Sequence, residues 1–204
     1  MRIFLKIICL ISLLAAVACT PLVQNARPDI QEPVLTDGIY EAADGYDMPY
    51  RVWSAEEAEK AVIIAVHGLN DYSNAFAFPA SWWMQNGITT YAYDQRGFGE
   101  TDEFGIWPGE EKLINDLITF VGLVKSRHPG KPVFILGESL GGAVTMSSVV
   151  HPDMPAVAGV MSCRTNMRAR LRRKCKPRHS STAWFAAFST RPEACPTSST
   201  WQWT

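Results

Sequence analysis

The stretch "FILGESLGGA", residues 134–143, runs from an apolar segment into glycine, serine and more glycine. Residues 132–137, "PVFILG", form a short unbroken apolar run of the kind found in strands buried on both faces. The residues after them, "GGAVTMSSVV", read as a helix. Strand, tight turn and helix in that order around Gly137-Glu138-Ser139-Leu140-Gly141 form a G-x-S-x-G elbow. Such a turn lifts Ser139 above the sheet and sets its backbone at a helix N-terminus, where negative charge is stabilised. Glycine is required at Gly137 and Gly141 because a Cβ at either flank would collide with the neighbouring strand or helix. The competing reading is a glycine-rich helix start that only packs closely.

Working outward, "AVIIAVH" (61–67) and "ITTYAYD" (88–94) repeat the buried-strand pattern, and "AVAGVMS" (156–162) is a weaker case. "GIYEAADGYDMPYRVWSA" places the turn signal Asp44-Gly45 between two segments of period-2 apolarity, which predicts an N-terminal hairpin. "GEEKLINDLITFVGLVKSRHPG" (109–130) carries acids in its first turn and Leu113, Ile114, Leu117, Val121 and Val124 at helical spacing. Basic residues and Pro129-Gly130 then close it. Strands separated by helices of this length need crossover connections. The expected product is an α/β fold: a mostly parallel sheet with helices on both faces and ligands at the carboxyl ends of its strands.

Two further polar motifs fall at those ends. His67-Gly68-Leu69-Asn70-Asp71 follows the first buried strand. In this fold the loop faces the elbow, so the backbone N–H groups of Leu69 and Leu140 are expected to form an oxyanion hole. His67 sits at the strand terminus with its ring turned inward and is expected to hold the loop rather than to act as a base. Asp94 and Arg96 in "YDQRGFGET" (93–101) are expected to form a salt-bridged turn, with Gly97 and Gly99 easing the bend.

The set "HGLNDYSNAF", "YAYDQRGFG" and "GESLGGA", in this order and spacing, resembles the α/β-hydrolase superfamily. Within it, the set is similar to the branch of monoacylglycerol lipases, lysophospholipases and serine-aminopeptidase-like hydrolases. The resemblance covers residues 38 to about 162, the N-terminal part of such a domain (37–162). It implies a Ser-Asp-His triad, carboxylic ester or lysolipid substrates, and neither metal nor cofactor. Ser139 matches the nucleophile, Leu69 and Leu140 match the oxyanion donors, and His67, Gly68, Gly137 and Gly141 belong to the supporting motifs.

The C-terminal residues depart from that pattern. Family members carry a cap and at least two more strands past the nucleophile, with the acid and the histidine far downstream, whereas the fold here is expected to be incomplete. The formal net charge of −1 hides a split. Residues 1–163 hold 10 Lys+Arg against 19 Asp+Glu, while residues 164–204 hold 9 against 1. The segment 163–204 shows neither strand nor helix periodicity. It reads as the product of a shifted frame that replaced the cap, the triad acid and the histidine. A genuine basic tail for an anionic surface is the alternative, and a nucleic-acid partner is not expected. His151 lies a helix length from Ser139, His128 is expected at helix-terminal carbonyls, His179 lies in the tail, and Asp153 in "HPDMP" reads as a turn residue or a candidate acid.

At the other end, Arg2 and Lys6 precede the apolar "IICLISLLAAVA", and small residues then lead to Cys19. Ala16-Val17-Ala18-Cys19 resembles the bacterial lipobox, so residues 1–19 are expected to be a lipoprotein signal with Cys19 lipidated. An ordinary signal peptide is the other reading. Residues 20–36 are expected to tether the domain to the membrane, on the periplasmic side of a bacterial envelope, or to lead a secreted form. The spacing of Cys163, Cys175 and Cys195 fits neither a zinc site nor a disulfide framework. Two functions follow: a membrane-tethered serine esterase impaired by loss of its acid and histidine, or a noncatalytic lipoprotein whose hydrolase-like half only binds.

Overall fold

In the computed structural model, which describes residues 22–163, the run Val62–Val66 is buried throughout because both faces of its strand are covered. The elements are β1 (Val34–Leu35), β2 (Ile39–Glu41), β3 (Asp47–Trp53), β4 (Ala61–Val66), a 3-10 turn at Ser73–Phe76 and α1 (Ala77–Met84). They continue with β5 (Ile88–Tyr93), α2 (Glu110–Arg127), β6 (Val133–Glu138), α3 (Leu140–Ser148) and β7 (Gly159–Cys163). The sheet order is β1-β2-β3-β5-β4-β6-β7. β5, β4, β6 and β7 pair in parallel, while β1, β2 and β3 add antiparallel strands at one side. The predicted hairpin is β2–β3, closed at Glu41↔Asp47 around the Asp44-Gly45 turn.

Alternation along β4 sorts the core. Val62, Ile64 and Val66 face Leu113, Leu117, Phe120, Val121 and Val124 of α2 and Val144 of α3. Ile63 and Ala65 face Phe76, Ala80 and Trp83 from the 3-10 turn and α1. Each fully buried side chain of this size contributes about 1.5–3 kcal/mol relative to exposure. Both faces are therefore covered, as the unbroken apolar runs required. α2 begins with Glu110 and Glu111 and ends with Lys125 and Arg127, so its charges oppose its dipole at both ends.

Two expectations need correction. The described part of the segment read as a tether, residues 22–36, is laid against the domain. Val34–Leu35 is the edge strand β1, Val23 bridges Trp107, and Ile30 N–H donates to the Ala43 carbonyl at 2.8 Å. Arg27 pairs with Glu103 at 3.1 Å. Polar and proline-bearing composition hid these contacts because most are made by the backbone and the Arg27–Glu103 pair joins residues far apart in sequence. The C-terminal strand, weakest in the sequence, starts at Gly159 and runs through Cys163, one residue past the boundary drawn at 162. Among the described residues no helix is long and apolar enough to cross a membrane. Cys19 and residues 164–204, with the expectations attached to them, lie outside the described residues.

Candidate active site

The parallel pair Val66↔Gly137 aligns the ends of β4 and β6, so the chain leaves both strands at the same edge of the sheet. Ser139 is the first residue beyond β6 and the cap of α3, with φ 51° and ψ −110°. A non-glycine residue there stores on the order of 1–3 kcal/mol of strain. The strain is held by the backbone: Ser139 N–H donates to the Cys163 carbonyl at 2.8 Å, and Ser139 C=O accepts from Ala143 N–H at 3.1 Å. The side chain is exposed, and among the described residues its hydroxyl makes no hydrogen bond.

The flanking glycines are fixed by space. A Cβ on Gly137 would lie 2.5 Å from the Gly141 carbonyl oxygen, and one on Gly141 would lie 2.2 Å from that of Val66. Both obstacles are backbone and cannot rotate aside. The loop after β4 closes over the turn, since a Cβ on Gly68 would sit 3.4 Å from Ser139 Cβ. The structure thus brings together Ser139, Gly68, Gly137 and Gly141, with Leu140 half-buried at the start of α3 and Leu69 60% exposed on the facing loop. Among the described residues neither the Leu69 nor the Leu140 N–H donates to the backbone or to a side chain.

His67 is fully buried. Its Nδ1 lies 2.8 Å from the Gly68 carbonyl oxygen, and its Nε2 accepts from Gln95 N–H at 2.9 Å. Burial pushes its pKa below the ordinary imidazole value. The ring therefore ties two loops together and is turned away from solvent.

The Asp94–Arg96 turn is built differently from the expected salt bridge. Asp94 spends its carboxylate on backbone, accepting from Ser73 N–H at 2.7 Å and Glu100 N–H at 2.8 Å. Arg96 reaches Asp44 at 2.6 and 3.0 Å and Asp116 at 2.8 Å twice, with Tyr46 under its guanidinium at 4.3 Å. Burial opposes the Arg96 charge, but the two aspartates outweigh it and raise its pKa above the usual arginine value. Burial pushes the Asp116 carboxyl up against the pull of Arg96, whereas the half-screened Asp44 ends below the usual range because Arg96 prevails over its burial.

The remaining described histidines are engaged elsewhere. His128 was expected at helix-terminal carbonyls. Its ring instead joins Glu59 at 2.8 Å and the Tyr91 hydroxyl at 2.9 Å, because loop 54–60 carries a carboxylate across the end of α2. His151 sits in the turn after α3, where its Nδ1 accepts from Asp153 N–H at 3.3 Å. Asp153 is thus a turn residue. Among the described residues no group of three or more His, Cys, Asp or Glu is placed to hold a metal ion. Sequence reasoning missed Gln95, Asp44 and Asp116. Only the turn position of Asp44 was visible in advance.

A serine on a strained elbow between strand and helix, with helices on both faces of a mostly parallel sheet, defines the α/β-hydrolase fold. Residues 57–192 match the family described as serine aminopeptidase, S33, and the chain belongs to that family. The match runs past Cys163 through much of the basic tail. The chain is 30% identical over 105 residues to the monoglyceride lipase of Homo sapiens, covering 51% of this chain and 35% of that protein. Among solved structures it is similar to a thermostable carboxyl esterase from Bacillus coagulans, with a TM-score of 0.55 and 17% identity over 69% of this chain and 44% of the other. It also resembles a soluble variant of the monoglyceride lipase of Saccharomyces cerevisiae in complex with a substrate analogue. There the TM-score is 0.51 and the identity 22%, over 68% and 45% of the two chains. The chain spans about a third of the length of the human relative.

Proposed function

We propose that this chain carries the nucleophile half of a serine esterase for single-chain lipid esters, monoacylglycerols or lysolipids. The observation that supports this reading best is Ser139 itself: exposed, at φ 51°, and set against the Gly68 loop. Its Oγ attacks the ester carbonyl carbon, and the Leu69 and Leu140 N–H groups take the negative charge that develops on the carbonyl oxygen. The leaving alcohol departs with a proton, and water then releases the acyl group. Loss of one such donor costs about 10²–10³ in rate. The human and yeast relatives, named monoglyceride lipases, point to the substrate class.

The general base and its acid come from outside residues 22–163, since the rings of His67, His128 and His151 are committed elsewhere. A frame shifted near Cys163 would remove both and leave slow turnover. The family match through residue 192 stands against that origin for the tail, and its crowded basic composition stands for it. Lipidation of Cys19 would hold the enzyme at the envelope membrane, where its substrates are.

Hydrolysis of p-nitrophenyl butyrate and of a monoacylglycerol by the full chain and by Ser139→Ala tests the reading. Slow turnover of both, abolished by the substitution, is expected. Turnover that survives Ser139→Ala removes the assignment, and fast Ser139-dependent turnover removes the proposed impairment.

A further inference from the structure

We propose that Leu22 and Val23, together with Phe104 and Trp107, form a membrane-contact patch that seats the Ser139 end of the sheet on a zwitterionic lipid surface. The inference rests on the lipid-anchor and esterase readings and adds to them the orientation of the domain on its membrane.

The geometry is set by the way the first described residues are strapped down. Gln24 N–H donates to the Trp107 carbonyl at 2.9 Å, and its side-chain amide donates to the Ile106 carbonyl at 3.4 Å. Lys112 Nζ donates to the Asn25 carbonyl at 3.1 Å. Arg27 pairs with Glu103 at 3.1 Å and lies over the Tyr46 ring, 5.2 Å from its centroid. The chain therefore enters the domain at a fixed point, where Val23 bridges Trp107. The loop that receives it, 94–109, leaves β5 at the end of the sheet that bears Ser139, because Ala65↔Ala92 and Val66↔Gly137 align β5, β4 and β6 in parallel.

Single exposed apolar side chains are ordinary on a protein surface, but here they gather where the strap begins. Leu22 is 78% exposed and Phe104 65%, and Val23 and Trp107 are exposed beside them. Ile106 N–H donates to the Glu103 carbonyl at 3.0 Å, which closes a turn with Phe104 inside it. Leucine, phenylalanine and tryptophan are the residues that settle at the boundary between headgroups and acyl chains. The charges on the same loop and the adjoining start of α2 choose the lipid. Asp102, Glu103, Glu110 and Glu111 outnumber Arg27 and Lys112, so the patch suits a zwitterionic surface and would be repelled by an anionic one.

The chain that precedes the patch names its occupant. Cys19, the residue expected to carry lipid, stands three positions before Leu22. Three residues reach at most about 11 Å. A trailing tether of residues 20–36 would let the domain turn freely above the membrane, whereas the docked strap leaves only this short lead. The lipid on Cys19 would enter the bilayer beside Leu22, and Phe104 and Trp107 would follow it to the interface. A single-chain ester leaving the bilayer then meets the Ser139 end of the sheet first.

Photocrosslinking tests the contact. The full chain, purified from membranes and reconstituted in phosphatidylcholine vesicles, would carry p-benzoylphenylalanine in place of either Phe104 or Val150. Val150 is 81% exposed and lies past the end of α3 remote from Ser139. Tandem mass spectrometry after illumination should find phospholipid adducts several-fold more often at position 104 than at 150. Equal yields, or adducts from position 104 to residues 164–204 or to a second copy of the chain, overturn the proposal. The mass of the N-terminal peptide reports the anchor separately. If Cys19 carries no lipid the anchor reading falls, and the same crosslinks of the chain mixed with vesicles still judge the patch. A second readout uses Leu22→Ser combined with Phe104→Ser. Turnover of a monoacylglycerol held in vesicles should fall several-fold, with hydrolysis of p-nitrophenyl butyrate in solution unchanged. Equal losses on both substrates overturn the proposal. If the unsubstituted chain hydrolyses neither, the esterase reading falls and the crosslinks remain decisive.

Discussion

Two glycine-rich turns leave neighbouring parts of the sheet at the same end, and they use their polar residues in opposite ways. After β5, Asp94 and Arg96 are almost fully buried, and every charge is spent inside the protein: on backbone amides for Asp94, on Asp44 and Asp116 for Arg96. After β6, Ser139 is exposed and strained, and among the described residues its hydroxyl is bonded to nothing. The charged turn looks more chemical in the sequence, yet its groups are satisfied and have nothing left to offer a ligand. Availability, rather than residue type, separates a turn that holds the fold from one that can react.

Substitutions that exchange these roles sharpen the contrast. The largest effect is expected from Arg96→Ala, which leaves Asp44 and Asp116 buried without their cation. Breaking such a network by removing one partner costs about 3–5 kcal/mol, which urea unfolding would register as a lower midpoint. A loss of only a few tenths would mean that water replaces the guanidinium and that the turn is not the brace described here. Next comes Gly141→Ala, which sets a Cβ 2.2 Å from the Val66 carbonyl oxygen. Overpacking against backbone costs about 1–3 kcal/mol and should displace the elbow. Unchanged stability together with unchanged fluorophosphonate labelling would contradict the close approach of α3 to β4. The smallest effect has the opposite sign. Ser139→Gly relieves a positive φ worth about 1–3 kcal/mol of strain, offset by glycine's entropy cost of about 0.5–1 kcal/mol. The variant should be slightly more stable than the wild type and should take no label. A destabilised Ser139→Gly would show that the serine is held by contacts rather than strained.

How far the sequence could be read depended on the range of the interaction. β4, β5, β6 and α2 were legible because burial imposes a local apolar period on each, and the elbow was legible because steric crowding selects glycine at fixed offsets from Ser139. The 3-10 turn and α1, "SNAFAFPASWWM", carry no helical signal in the sequence, since apolar residues lie all round and leave no period. β1 is two residues long and is defined by its pairing with β2 rather than by its composition. The partners of Arg96 stand 52 and 20 positions away, and nothing local to any of the three announces the contact. His128 shows the same limit, because its ring meets a carboxylate from 69 positions earlier.

Whether the hydroxyl at position 139 acts as a nucleophile presented by a strained turn is decided by tandem mass spectrometry of the full chain after exposure to a fluorophosphonate. One phosphonyl adduct is expected, on the peptide containing Ser139, and none in Ser139→Ala. An adduct on another residue, or equal labelling of both proteins, would contradict it.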